Sequence, residues 1–517
     1  MATRARVGLA AVLGIWVASC GGGSGPRSDD AERIERHVVP LPAGVTAARF
    51  PWYASDGDAI LFSAQTAGSS RVELLAIRED GSELRCLTCG IAPEVRAPLL
   101  KPLPFPDGRR VLLRVGEQSP VQAADHAVLE CRPTVADCAN AELVPIAVPL
   151  DDRAVVRQDQ REFRVSPDGR HTGFTQVRET AEGEALLVAA VSLLERDASS
   201  YQVVDARAVS TRGELKGFTP DGRGVLVAAF TTAPEAANPD VLRIDLETGA
   251  ETRVTTYPDY DEPLELSGDQ RWYVVGSGRT SGLMETVAQP RRPNFIGEGL
   301  EPLVAAVFVH ERARIIQPWL VRAGTESVDH PGQQLNVGSA AEGYSGRAIP
   351  NWHPDGTRIV FWEGTSDPNV PPTSETRIVV VRLVDRVATR ASGERLSPDS
   401  VWAPLLAGFV PVPAPRPTSR DGARSGSVEI TRGVGDDGSV VEVVYRDFAD
   451  DPGLVLDGFE RAEYRGGLTG RSHYTVDLRV AGREHGFLRG DAVLSVAGIE
   501  GLIESEVGAK ALRLPPP

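Results

Sequence analysis

Phe50-Pro51-Trp52-Tyr53-Ala54-Ser55-Asp56-Gly57-Asp58-Ala59-Ile60-Leu61-Phe62 is the stretch that decides the fold. It reads as an aromatic strand, a tight turn and a second strand apolar enough to be buried. In such turns Asp bonds back to the local backbone and Gly accepts positive φ; where Pro precedes, it presets φ. The unit recurs along the chain. Pro106-Asp107-Gly108-Arg109-Arg110 precedes Val111-Leu112-Leu113, Ser166-Pro167-Asp168-Gly169-Arg170 follows, and Thr219-Pro220-Asp221-Gly222-Arg223 precedes Val225-Leu226-Val227. His353-Pro354-Asp355-Gly356-Thr357-Arg358 precedes Ile359-Val360-Phe361, and a degenerate copy, Ser267-Gly268-Asp269-Gln270-Arg271, precedes Trp272-Tyr273-Val274-Val275. Successive turn aspartates lie 51, 61, 53, 48 and 86 residues apart. Most intervals suit one four-stranded sheet each. A sheet of that size cannot cover its own faces, and radial stacking of similar sheets buries them.

The first unit shows all four strands, since Arg71 to Ile77, the turn Asp80-Gly81 and Leu84 to Thr88 complete it. An aromatic residue, Ser-Pro-Asp-Gly, an Ile-Leu-Phe strand, then Asp-Gly and Leu-Thr resembles the PD40 (WD40-like) repeat of TolB-like propellers. The resemblance spans about residues 45–405. It implies an all-β chain with a propeller over 45–409. The long interval after Asp269 holds Leu303 to Val309 and Arg314 to Leu320, which look like further strands. Six blades with an insertion near 280–345 are favoured over a seventh blade lacking the motif. Val410 to Pro417 is Pro-rich and reads as a stiff linker over 410–424. Beyond it Tyr474, Val476, Leu478 and Val480 alternate with polar residues, which suggests a small β-sandwich over 425–517.

The chain begins as an export signal. Arg4 and Arg6 precede an apolar run, Val7 to Val17, too short to span a bilayer. Val17-Ala18-Ser19-Cys20 resembles the lipobox of bacterial lipoproteins, which implies removal of residues 1–19 and a lipid on Cys20. A flexible tether over 20–44, starting Gly21-Gly22-Gly23, would follow. The expected location is the cell envelope, at the outer membrane if the host has two, and the expected state is a monomer. The net charge of −16 argues against a nucleic-acid partner. Lysine occurs only at 101, 216 and 510. Four further cysteines in an exported chain suggest two disulfides; Cys86–Cys89 and Cys131–Cys138 are favoured. A four-cysteine zinc site has the wrong second spacing, and no metal or other cofactor is expected.

A propeller gathers its inner strands around one axis, so charged residues just before each turn should converge. Arg49, Arg96, Arg161, Asp261 and Arg347 are candidate ligand-binding residues, because arginine forks suit carboxylates, phosphates and uronic acids. Glu162, Glu214 and Glu262 are candidate acid/base carboxylates. Mutual pairing of these charges is the bland alternative. His330, in Asp329-His330-Pro331-Gly332-Gln333-Gln334-Leu335-Asn336, is a further candidate, with His310 in the same insertion. Gly343-Tyr344-Ser345-Gly346-Arg347 lacks the second glycine of a nucleophile elbow. Asp447, Asp450, Asp451 and Asp457 depart from the EF-hand spacing.

A looser resemblance links Cys86 to Cys89, Arg314 to Leu320, Gly332 to Asn336, Tyr445 to Phe448 and Leu456 to Glu460 to exported propellers related to fungal saponin hydrolases. It implies glucuronide-like conjugates as a substrate class and assigns no catalytic residue. The leading expectation is a membrane-tethered protein whose funnel binds a protein, peptide or glycoconjugate. The alternative is a glycoside hydrolase of the saponin hydrolase type.

Overall fold

In the computed structural model the turn motif behaves as its chemistry requires. The aspartate Oδ1 accepts a backbone N–H two residues on in every copy: Asp58 to Asp56 at 3.1 Å, Arg109 to Asp107 and Arg170 to Asp168 at 2.8 Å, Arg223 to Asp221 and Arg271 to Asp269 at 3.1 Å, and Thr357 to Asp355 at 2.8 Å. Gly57 needs its freedom twice over. Its φ is +83°, and a Cβ there would stand 2.4 Å from His353 Nε2 of the neighbouring motif. In the degenerate copy Gln270 takes the same left-handed conformation, at φ +58°.

The structure describes residues 31–515 except 68, 70, 92–96, 118–124, 149–160, 231, 348, 368, 390–395, 414, 451–452 and 468–469. The expected leader, Cys20, the start of the tether, Arg96 and Asp451 lie outside the described residues.

Each motif heads an antiparallel meander. The first runs Val45–Tyr53, Ile60–Thr66, Val72–Ile77 and Arg85–Cys86, and the second Leu99–Pro104, Arg110–Val115, Asp125–Pro133 and Cys138–Ala147. The third is Arg161–Val165, His171–Glu179, Ala185–Arg196 and Tyr201–Ser210, joined to the second by a short parallel pairing of Tyr201 and Gln202 with Ile146 and Ala147. Gly213–Phe218, Gly224–Ala229, Asp240–Asp245 and Glu251–Arg253 form the fourth; Asp261–Leu266, Trp272–Ser277, Gln317–Arg322 and Gln333–Gln334 form the fifth. The last has Tyr344–Gly346 and Asn351–Trp352 as a broken inner strand, then Arg358–Thr365 and Thr376–Leu383. Its outer strand is Ile34–Val38, from the other end of the chain. Consecutive meanders pack together, and the last packs on the first through Val45–Tyr53. The ring is closed, and the fold is an all-β propeller.

Ile34–Val38 corrects one boundary. Residues 34–38 were expected within the flexible tether, yet His37 stands opposite Val380 in the sheet. An edge strand left bare exposes unpaired backbone groups, and this segment covers that edge.

The insertion also differs from expectation. Glu301–His310, including Leu303 to Val309, is a helix with Pro302 in its first turn. An apolar run of that length does not by itself distinguish strand from buried helix. Where a sandwich was expected, residues 419–514 form one eight-stranded antiparallel sheet in sequential order, beginning at Ser419–Asp421 inside the expected linker. Its buried face, carrying Val443, Tyr445, Leu456, Tyr474, Val476 and Leu478, packs on Met284, Val287, Leu300, Leu303 and Val307 of the insertion. Helices supply the second layer, so the sheet needs no partner sheet. Arg292 and Glu460 bolt the two layers together at 2.6 and 3.0 Å, both side chains wholly buried, while the Tyr445 and Tyr474 hydroxyls donate to the same carboxylate. Among the described residues no helix is long and apolar enough to cross a membrane. The favoured disulfides both form: Cys86–Cys89 and Cys131–Cys138.

Candidate functional site

The inner strands are not straight. Their pairing slips between Arg49 and Trp52, Leu100 and Leu103, Arg161 and Arg164, Leu215 and Gly217, and Asp261 and Leu264; in the last meander the inner strand breaks after Gly346. In four of the blades the irregularities share one register. Phe50, Lys101, Glu162 and Ile349, each six residues before its turn aspartate, all have positive φ, between +47° and +56°. A bulge re-aims the side chain it carries. Repeated in phase in these four blades, it turns one side chain from each toward common space. Phe50, Lys101 and Ile349 accordingly line one small space with Trp52, Arg164 and Asn351, which stand four residues before their own aspartates.

The charges converge and pair. Glu162 receives Lys101 Nζ at 2.8 Å and Arg164 Nη2 at 2.5 Å. Glu214 receives Arg161 Nε at 2.6 Å and Lys216 Nζ at 2.5 Å. Lys216 also pairs with Glu262, whose other oxygen accepts the Tyr260 hydroxyl at 2.6 Å. Arg164 Nε donates to the Lys216 carbonyl at 2.6 Å, so the network runs unbroken across four blades, from Lys101 on the second to Glu262 on the fifth. Two of the chain's three lysines are spent here.

Burial is the largest influence on Glu162, Glu214, Lys101, Lys216 and the nearby His126, and it opposes charge. At Glu162 it raises the carboxyl, but Lys101, Arg164 and Lys216 overcome it and hold Glu162 well below the usual range. Glu214 is likewise held below its ordinary value by Lys216 and Arg161 despite burial. Burial pushes the Lys101 amine down to about 8, with Glu162 opposing. His126, tilted against Phe163 with ring centroids 4.7 Å apart, is pushed down to about 3 by burial and by Arg114, so its imidazole is neutral. Lys101, Arg114, His126, Glu162 and Arg164 surround a cavity of about 10 Å³, room for about one water molecule.

The remaining candidates scatter. Arg49 pairs with Glu117 at 3.0 Å beside the Phe50 ring. Asp261 is fully buried under Arg279, at 2.8 Å, and Arg279 is shared with Glu326; it is an interior ion pair, not part of the mouth. Arg347 is buried within the last blade and donates to the Thr365 carbonyl. His330 sits in an exposed turn against Ser327, 3.1 Å away, and His310 bonds the Val496 carbonyl of the C-terminal sheet at 2.9 Å, so the two do not combine. Asp450 pairs with Arg420 at 2.8 Å.

No protein-family model and no curated protein matches the sequence. Among solved structures the chain is similar to TolB from Acinetobacter baumannii, at 13 % identity and a TM-score of 0.36, over 66 % of this chain and 65 % of that one. It is similar to an oligogalacturonate lyase from Vibrio parahaemolyticus, at 10 % identity and a TM-score of 0.37, over 68 % and 97 %, and to a puromycin hydrolase, at 14 % and 0.32, over 80 % and 50 %. The chain thus spans under two thirds of the TolB chain. The propeller assignment rests on the closed ring of meanders.

Sequence reasoning missed Lys101, Arg164, Lys216 and Glu265. Glu265 stands four residues before its aspartate, in register with Trp52 and Arg164, and its carboxylate lies 3.8 Å from where a Gly217 Cβ would be. Burial pushes it up to about 7, Arg164 opposing. Counting back a constant six and four residues from each turn aspartate, in place of taking the nearest charged residue, finds all but Lys216, which stands five back.

Proposed function

We propose that this is an envelope binding module: a propeller held to a membrane through lipid on Cys20, engaging a protein, peptide or glycoconjugate through its axial mouth. One observation supports binding over hydrolysis. Glu162, Glu214 and Glu262 each touch a lysine, and Arg164 or Arg161 adds a second hold on the first two. Glycoside hydrolysis needs one carboxyl kept protonated near neutral pH as general acid. Cations that hold Glu162 and Glu214 ionised work against that role. The same cations leave a rigid, internally neutralised mouth on which loops present a recognition surface.

Two measurements test the proposal. The protein is screened against aryl glucuronides and other glycosides beside an affinity capture from envelope extract. Specific capture without turnover is the expected result; turnover abolished by Glu162→Gln, Glu214→Gln or Glu262→Gln overturns it. For the anchor, Cys20→Ser should release the protein from membranes, and continued retention counts against lipidation.

A further inference from the structure

Away from the axis, a cleft of about 630 Å³ opens between the insertion, the turn that carries His330 and the rim of the C-terminal sheet. Its volume falls in the range of small-ligand sites, roughly 300–1,000 Å³. Four charges line it without a salt bridge to any described residue: Arg291, whose charge is also felt by Glu235, and Arg483, Asp329 and Glu484. That contrasts with the axial network, where every candidate glutamate is matched. Two positive and two negative charges balance, so a ligand of one sign meets as much repulsion as attraction. A ligand bearing both signs complements all four.

A buried atom gives the second observation. The Glu285 side chain, also lining the cleft, is wholly inaccessible to solvent. Lys510 Nζ holds its Oε1 at 2.5 Å, while Oε2 has no hydrogen-bond partner among the described residues. A buried acceptor left unmatched is costly, so a donor belongs there. Because Lys510 already balances the charge, a neutral N–H suits Oε2 better than another cation. Val328, Leu454 and Val507 add apolar wall.

We propose that this cleft binds a short zwitterionic peptide with an apolar side chain. Its carboxylate lies on Arg291 and Arg483, whose forks match it. Its ammonium faces Asp329 and Glu484, and a peptide N–H reaches Glu285 Oε2 when the side chains over it, with the half-exposed Lys510, yield. The apolar side chain rests against Val328, Leu454 and Val507. The site is independent of whatever the axial mouth binds.

Calorimetric titration of the full chain with the dipeptide alanyl-leucine tests this, alongside its N-acetyl and C-terminal amide derivatives. Saturable binding is expected for the free dipeptide, weakened about tenfold or more by either block, as losing one charge-assisted contact requires. Arg483→Ala, at an exposed position, should weaken the free dipeptide similarly and leave the melting temperature unchanged. Arg291→Ala gives a second reading from the other side of the cleft. Absence of saturable binding, equal affinity for the blocked forms, or binding indifferent to both arginine variants would overturn the proposal.

Discussion

Replacing Lys216 by Met removes the charge that joins two blades while keeping an unbranched side chain of similar length. In the wild type its ammonium is buried, 2.5 Å from Glu214 and also paired with Glu262. At an effective dielectric constant of about 20, unit charges at that separation attract by about 7 kcal/mol, and desolvation takes back much of it. Removing one partner of a buried pair costs about 3–5 kcal/mol, because the remaining charge is left uncompensated. Urea unfolding followed by tryptophan fluorescence should show the loss; with m near 3 kcal/mol/M the midpoint falls by about 1–1.7 M. The pH dependence is the sharper test. Glu214 is held below its ordinary value in the wild type, so it stabilises above the unfolded carboxyl pKa of about 4.3, and that contribution fades as pH falls through the folded value. Without Lys216, burial and the neighbouring Glu162 charge dominate, the folded carboxyl rises, and the variant recovers stability as it protonates. The gap between wild type and variant should therefore narrow from pH 8 to pH 5. A loss under about 1 kcal/mol, or a gap constant with pH, would refute the view that this network is a charge-compensated core.

Other consequences follow from single contacts. Glu460→Gln leaves Arg292 buried without its counter-charge and should destabilise the C-terminal sheet by about 3–5 kcal/mol, read as earlier proteolytic cleavage between residues 410 and 515 while the propeller persists. Gly57→Ala places a Cβ against His353 at φ +83° and should cost about 1–2 kcal/mol for the left-handed backbone alone, more with the clash, measured by thermal unfolding. Glu265→Gln should stabilise the protein more at pH 8 than at pH 4.5. A carboxyl raised to about 7 costs nothing below its unfolded pKa of about 4.3 and most above 7; an equal gain at both pH values would contradict its burial. Cys131→Ser with Cys138→Ser opens a short loop on the second blade and should lower stability by about 2–3 kcal/mol.

The propeller was legible because its cause is local. Asp56, Asp107, Asp168, Asp221, Asp269 and Asp355 each bond a backbone N–H two residues on. Such contacts depend on neighbours in the chain, so residue order announces them. Period-two alternation exposed the strand at Tyr474 to Val480 for the same reason, and the short Cys131–Cys138 spacing announced its disulfide. Tertiary packing decided the rest. Leu303 to Val309 became helix because a sheet covers it, and that sheet stayed single because the helix fills its other side. Ile34–Val38 became a strand because residues some 340 positions away left an edge open. Glu162, Glu214 and Glu262 stand out in the sequence, but Lys101 and Lys216, which pair with them, do not. Electrostatic partnership acts through space and over a few ångströms, so only the closed ring determines which charges are matched and which, like Arg483 at the cleft, make no salt bridge to a described residue.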